Sequence, residues 1–477
     1  MKKILFSLSI IGLFAMTSCQ EDDFLNYDPT DSVEIGDETI SDEGQLETAV
    51  LGIYDGLQNL NAYGNYYISS QELLTDNGFV VLQNSNRLTD FYRYQHALAT
   101  GGSIGNMWTI GYRVIARSNF VLSYEDKTTT TGDLLFTSVA AKSSFAEARA
   151  IRALQLFNLV NYYARPYGTT DQELGIPIPY EFERDLQIPR STVAEVYDEI
   201  ISELELAADN LTNTDKGRIT QQAVYGILSR VLLYKKDYTQ AAEYADLALT
   251  GANLLAVDFT NENQTDLQNY YMDPLSITGQ GETLFAIPFT ELDNPGENDA
   301  LFATWTTGGR YEDTAATEDF YNLIPATDAR KGLYTQWDTS DSPKPYGVGK
   351  FGGVDNDVVV IRATEVLLNK IEALYYTNPS LASTELVNWV QTYRDSSYSF
   401  SGTGQALLDE ILKQRRIELA FEGHRYFDMN RYGLDIQKNA NCTLNCDMPF
   451  SDYRRVFPIP LNEMNTNSAM VQNPSYQ

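Results

Sequence analysis

Apolar residues recur at spacings of three and four over 46–57, where Leu46, Ala49, Val50, Ile53, Tyr54 and Leu57 share one helical face. Asp42 or Ser41 stands where a side-chain oxygen caps such a helix. The stretch 61–105 is richer in Gly, Asn, Tyr and Ser and reads as loop. A helix is expected again from near Asn106, with Trp108, Tyr112, Ile115, Ala116 and Phe120 on one face, so Trp108 reads as core. The pattern predicts a further helix over 143–163, with a stripe of Ala146, Ala150, Ala153, Leu154, Phe157 and Val160. It ends before Pro166 and Gly168. Pro177, Pro179 and Pro189 then mark an extended connection, and Thr192 with Glu195 forms a capping box for the next helix.

In 220–250, Tyr225, Leu228, Ser229, Leu232, Ala241, Ala245 and Ala248 occupy the offsets of a tetratricopeptide-like hairpin. Small alanines at those offsets let two antiparallel helices approach closely. A weaker match runs through Val366, Ala373, Ala382, Leu386 and Trp389. Residues 256–357 break the pattern, being rich in Gly, Asp, Asn, Thr and aromatics with six prolines. Short β segments such as 283–288 are expected there. So long a stretch between strong helices exceeds an ordinary connection, and long loops on a rigid scaffold are where binding residues concentrate. The fold class expected is mainly α: a helical-hairpin scaffold with long loop-rich insertions and a few short strands.

The N-terminus follows another pattern. Lys2 and Lys3 precede an apolar run over 4–16, then Thr17, Ser18 and Cys19. The run is too short to span a membrane and has the layout of an export signal. The small residues leading into Cys19 resemble the lipobox of bacterial lipoproteins, with Met16 where Leu is usual. This implies cleavage after residue 18 and acylation of Cys19, a membrane attachment through lipid. Gln20, Glu21, Asp22 and Asp23 then open an acidic tether over 19–40, similar to the surface-export run of Bacteroidetes lipoproteins. The remainder, 41–477, reads as one domain: a helical part over 41–255, a loop-rich face over 256–357 and a helical part over 358–477.

Charge narrows the partners. The chain carries 34 basic and 65 acidic residues, and loss of residues 1–18 removes two of the basic ones, leaving a net charge of −33. So acidic a surface repels phosphate backbones, which excludes nucleic acid. Aromatic content points elsewhere: 32 Tyr, 21 Phe and 4 Trp, many in polar stretches. A ring offers a flat apolar face and Tyr a hydrogen-bonding edge, a pairing suited to sugars. Two clusters are candidates for ligand contact. The first is Tyr63, Tyr66, Tyr67, Asp76, Asn77, Arg87, Tyr92 and Tyr94; the second is Phe302, Trp305, Arg310, Tyr311 and Trp337. Trp305 and Trp337, lying outside any apolar stripe, are expected to form an exposed platform. Cys442 and Cys446 either pair as a short-loop disulfide, the favoured reading for an exported chain, or remain free thiols. With His96 and His424 far apart in sequence, the chain provides no metal-ligand constellation, and no cofactor is expected.

Six segments carry a resemblance to a known family. They are Phe24-Leu-Asn-Tyr-Asp-Pro after Cys19; Ala49-Val-Leu-Gly-Ile-Tyr-Asp-Gly-Leu; Glu147-Ala-Arg-Ala-Ile-Arg-Ala-Leu through Gly175-Ile-Pro; Gly217-Arg-Ile-Thr; Arg415-Arg-Ile-Glu-Leu-Ala-Phe-Glu-Gly-His-Arg-Tyr-Phe-Asp with Arg431; and Phe457-Pro-Ile-Pro with Gln472-Asn-Pro-Ser-Tyr. Together they resemble the SusD/RagB-like nutrient-binding lipoproteins of Bacteroidetes. One departure is Asn388-Trp-Val-Gln where members commonly show Asn-x-Val-Arg.

The resemblance implies an outer-membrane lipoprotein facing the cell exterior. It implies capture of oligo- or polysaccharide and delivery to a SusC-type TonB-dependent transporter; the alternative it allows is a peptide-binding, RagB-like subunit. It implies no enzymatic activity. The residues agree, since His424 between Glu422 and Asp428 lacks a nucleophile or metal beside it. Helical spacing instead predicts ion pairs Arg415–Glu418 and Asp428–Arg431, with His424 near Asp428.

Overall fold

Asp42 accepts a hydrogen bond from the Gln45 amide and starts α1, Glu43–Gln58, as the apolar spacing predicts. This computed structural model describes residues 39–96, 102–170, 173–183, 186–259, 266–275, 281–337 and 343–476. Cys19, the export signal and nearly all of the acidic tether lie outside the described residues. No described helix is long and apolar enough to cross a membrane.

The stretch 61–105 is not simply loop. It contains α2, Tyr66–Leu73, the strand β1, Gly78–Val80, and a single turn, α3, Thr89–Tyr92. α2 escapes the periodicity test because it has no solvent face. Ser69, Ser70, Gln71 and Glu72 are all buried, and their polar atoms meet residues from across the fold. Trp305 Nε1 donates to Ser69 Oγ (2.7 Å), and Ser70 bonds the Tyr162 hydroxyl (2.8 Å).

α4, Ser103–Leu122, begins slightly before the expected start, and Trp108 is buried against Tyr163. α5, Val139–Tyr163, is the central helix. It is buried on nearly its whole circumference rather than along one stripe, because α1, α4 and α6, Val193–Ala208, all pack on it. The capping box of Thr192 and Glu195 opens α6 as expected.

α7, Gln221–Lys235, and α8, Tyr238–Leu249, form the first hairpin, with Ala241, Ala245 and Ala248 fully buried at their contact. α9, Asp266–Met272, and β2, Thr283–Ile287, follow. Next come α10, Leu301–Trp305, β3, Thr314–Ala316, and α11, Glu318–Leu323. The strands β4, Tyr334–Gln336, β5, Tyr346–Val348, and β6, Val358–Arg362, lead into the second hairpin. Its helices are α12, Ala363–Thr377, and α13, Pro379–Tyr393. Ala382, Leu386 and Trp389 of α13 pack on Leu368 and Ile371 of α12 and on Leu407 and Ile411 of α14, Gln405–Leu419. The first hairpin docks on the second through α8 and α12. α15, Arg425–Arg431, the strand pair β7, Ile436–Gln437, with β8, Asp447–Met448, and α16, Leu461–Thr466, complete the chain. The mainly helical class and its hairpins stand as expected.

The Arg415–Arg431 motif is structural. Arg415 pairs with Asp428 (2.8 Å) rather than Glu418, and Asp428 also takes Arg431 (2.8 Å). Glu418 is instead gripped by Arg394 (2.8 Å), Arg362 (3.0 Å) and Arg330 (3.3 Å). His424 approaches Glu365 at 3.6 Å, not Asp428. Burial pushes the imidazole down to about 4, so at neutral pH it is uncharged and this approach is no ion pair. Spacing named the charged residues but not their partners, because most partners come from other elements.

Candidate functional site

A four-stranded antiparallel sheet of order β1-β3-β5-β4 decides which parts of the chain meet. Gly78, Phe79 and Val80 pair with Ala316, Ala315 and Thr314. The segment after α2 is thereby joined to the loop-rich 256–357 region. Beside this junction lies a polar cleft of about 460 Å³, within the size range of small-ligand sites. Asp76 and Tyr92 line it from the first segment, Thr317 and Asp319 from the second, Arg416 from α14 and Lys438 from the β7–β8 loop.

The disulfide Cys442–Cys446 closes that loop. The loop is held to the cleft wall by Tyr92, whose hydroxyl donates to the Ala440 carbonyl, and by Asn441, which donates to the Val80 carbonyl (2.8 Å). Arg416 donates to Asn77 Oδ1 (2.7 Å) and pairs with Asp76 (3.2 Å), which also receives Arg425 (2.9 and 3.0 Å). Burial opposes ionisation of Asp76, yet Arg425 and Arg416 hold its carboxyl at about 2. Lys438 is buried, donating to the Tyr92 carbonyl (2.5 Å). Its amine stands 4.5 and 4.4 Å from the Tyr92 and Tyr94 ring centres.

α3 links the cleft to an aromatic surface patch. Phe91 on α3 meets the edge of half-buried Tyr66 (5.4 Å). Beside it, the Arg87 guanidinium lies 4.0 Å over the Tyr311 ring and reaches Asp299 (3.5 Å). The Tyr311 hydroxyl donates to Asn298 (3.0 Å), and Arg310 pairs with Glu297 (3.0 Å). The Tyr66 and Tyr311 rings are half-buried here, with acceptors and donors around them.

Two family models match the chain. Residues 23–233 match one described as "Starch-binding associating with outer membrane", and residues 334–476 match one described as "SusD family". The chain belongs to the SusD/RagB-like family. Among curated relatives, a SusD-like protein of Bacteroides ovatus is 25% identical over 69% of this chain and 65% of its own length. The match thus spans less than two thirds of that relative. SusD-like protein P25 of Formosa agariphila is 23% identical over 97% of this chain and 96% of its own. Two solved SusD superfamily proteins share the fold. One, from Bacteroides vulgatus, has a TM-score of 0.82 at 22% identity, covering 92% of this chain and 100% of its own. The other, from Bacteroides thetaiotaomicron, has a TM-score of 0.79 at 25% identity, covering 90% and 99%.

Within this SusD-like fold the expected contact residues divide sharply. Tyr66, Arg87, Phe302, Arg310 and Tyr311 keep exposed surface, and Arg87 with Tyr311 joins the two sequence clusters. Asp76 and Tyr92 reach the cleft. Tyr63, Tyr67, Asn77 and Tyr94 are buried core or cleft support. The expectation of an exposed Trp305–Trp337 platform is corrected. Trp305 is fully buried, its ring meeting the edge of Phe421 at 5.0 Å, and Trp337 is only 7% exposed. A Gly/Thr-rich neighbourhood marks a loop, but this loop folds inward. Gly78 on β1 leaves room for the Trp305 ring, since a Cβ there would lie 2.7 Å from it. Asp319, Arg416, Asp435, Lys438 and Asn439 were missed as cleft residues. Arg416 lay within a motif explained by ion pairing, and 435–440 carries no distinguishing pattern.

Behind the cleft, Glu72 is fully buried, receives Asn77 Nδ2 (2.8 Å) on one oxygen and lacks a hydrogen-bond partner on the other among the described residues. Burial raises its pKa from 4.5 to about 7. The folded state therefore binds this proton more tightly than the unfolded chain. The associated stability is present below pH 4.5 and is lost as pH rises toward 7, about 3 kcal/mol at most. Glu72→Gln is expected to remove that slope. Its melting temperature should gain on wild type progressively from pH 4.5 to 8 in calorimetric scans; an unchanged difference would refute the buried-carboxyl account.

Proposed function

We propose that this chain captures oligo- or polysaccharide at the cleft and the adjoining Tyr66–Arg87–Tyr311 patch. It delivers the glycan to a SusC-type TonB-dependent outer-membrane transporter while tethered by lipid at Cys19, facing the cell exterior. The observation that carries the reading is the convergence of polar cleft and half-buried aromatics at the one sheet junction where residues 75–92 meet 311–319. The family description as starch-binding and outer-membrane-associated supports it.

Sugar C–H faces stack on Tyr311 and Tyr66 while hydroxyls bond the cleft carboxylates and amides. The site acts by binding: His424 is buried and neutral, and the charged groups of its motif are engaged in ion pairs within the fold. Affinity electrophoresis in gels of starch, xyloglucan, galactomannan and laminarin identifies the retained polysaccharide. Titration with its oligosaccharides should then show Tyr311→Ala binding roughly fivefold to thirtyfold more weakly, about 1–2 kcal/mol, with an unchanged melt. Full affinity in that variant, or retention of peptides and no glycan, would overturn the reading.

A further inference from the structure

We propose that the cleft selects uncharged sugars and rejects those bearing carboxylate or sulfate groups. This deepens the glycan reading and rests on it. Selection depends on which charges in the cleft wall are already engaged. Three carboxylates line it, on Asp76, Asp319 and Asp435, against two cations, Arg416 and Lys438.

Arg416 is already engaged by partners of its own. Its guanidinium is committed to the Asp76 carboxylate, the Asp76 carbonyl (3.3 Å) and the Asn77 side chain. Asp76 is doubly compensated, because Arg425 binds both its oxygens. Lys438 is turned inward, bonded to the Tyr92 carbonyl and boxed between two tyrosine rings. No carboxylate pairs with it among the described residues, and burial drives its pKa well below the ordinary lysine value. An amine so desolvated serves as a hydrogen-bonding group rather than a counter-ion.

The two remaining carboxylates are different. Asp319 and Asp435 are both exposed. Asp319 accepts only a long bond from Asn439 Nδ2 (3.4 Å), and Asp435 accepts the Phe450 amide (2.8 Å). Neither has an ion-pair partner among the described residues. With Arg425 counted, three carboxylates stand against two guanidinium groups and an inward-turned lysine, so the balance of the wall is negative. A sugar hydroxyl entering it gains a charge-assisted bond to a carboxylate. A uronate or sulfate entering it meets two carboxylates without ion-pair partners among the described residues, where the one guanidinium of the wall is already bonded to Asp76 and Asn77, and the net charge of −31 on the whole chain adds a field of the same sign.

The test uses matched probes. Each neutral polysaccharide of the panel is also prepared as its C6-oxidised form, which differs only in carrying uronate groups. At physiological salt, the oxidised form of whichever glucan or mannan binds should bind at least about fivefold more weakly. The double variant Asp319→Asn/Asp435→Asn should narrow that gap to roughly twofold, read as the ratio of neutral to oxidised affinity within the variant, with neutral binding itself weakened by loss of the charge-assisted bonds. Asp319→Asn alone, at an exposed position, should narrow it part-way. Equal or tighter binding of the oxidised form by wild type would overturn the selectivity and leave the glycan reading standing. A gap undiminished in the double variant would overturn its assignment to this cleft. Retention of no polysaccharide, neutral or oxidised, would overturn both.

Discussion

Replacing Glu418 with glutamine should destabilise the protein by about 3–5 kcal/mol, the cost of removing one member from a buried ion cluster. Glu418 is nearly isosteric with Gln, so packing changes little. Charge balance changes a great deal. Arg394 donates two bonds to its oxygens (2.8 Å each), and Arg362 and Arg330 reach it at 3.0 and 3.3 Å. Each of these guanidinium groups is buried. Removing the carboxylate leaves them short of countercharge in a medium that cannot solvate them. Burial by itself would raise the Glu418 pKa, but Arg394 and Arg362 hold it well below 4.5. Its contribution is therefore present above pH 4.5 and lost as pH falls below it. Urea denaturation across a pH series should show the gap between wild type and Glu418→Gln widest near neutrality and shrinking in acid. A constant gap, or a loss under about 1 kcal/mol, would mean that the cluster is not what ties α14 to β6 and α13.

Trp305→Ala should cost about as much, roughly 3–5 kcal/mol, through the cavity left by a fully enclosed indole. The ring fills the space above Gly78, meets Phe421 edge-on and donates to Ser69 Oγ at 2.7 Å. Its loss leaves a void and removes one of the two bonds of the Ser69 hydroxyl, the other being to Asn65. Because α10 and β1 meet through this ring, the sheet junction beside the cleft should loosen with it. Thermal melts should drop by several degrees. Glycan affinity, measured where the variant remains folded, should fall less than in Tyr311→Ala. A full-strength melt combined with lost binding would instead put Trp305 in the ligand's path.

Local spacing accounts for part of this fold, and contacts between distant segments for the rest. Periodicity located α1, α4, α5 and both hairpins, because their apolar residues recur at helical spacing within each segment. The capping box of Thr192 and Glu195 was equally legible, since both partners lie within one turn. Family membership was also written in the chain, in long ordered motifs such as that over 415–431, and the family models match around them.

Other features depended on residues distant in sequence. α2 is a helix whose buried polar side chains meet Trp305, Tyr162 and Asn77, so no window around it carries an amphipathic signal. Trp305 and Trp337 looked like surface rings because local composition reports a loop, not the direction in which the loop folds. The cleft is the clearest case. Asp76, Asp319, Arg416 and Lys438 are spread over 363 positions of chain and become neighbours only when β1 pairs with β3 and the disulfide loop closes over Tyr92. The sequence determined the scaffold, since helix formation and hairpin contact are governed by near-neighbour spacing. Tertiary structure alone decided the site, since which charges are compensated and which remain free is settled by contacts between segments far apart in the chain.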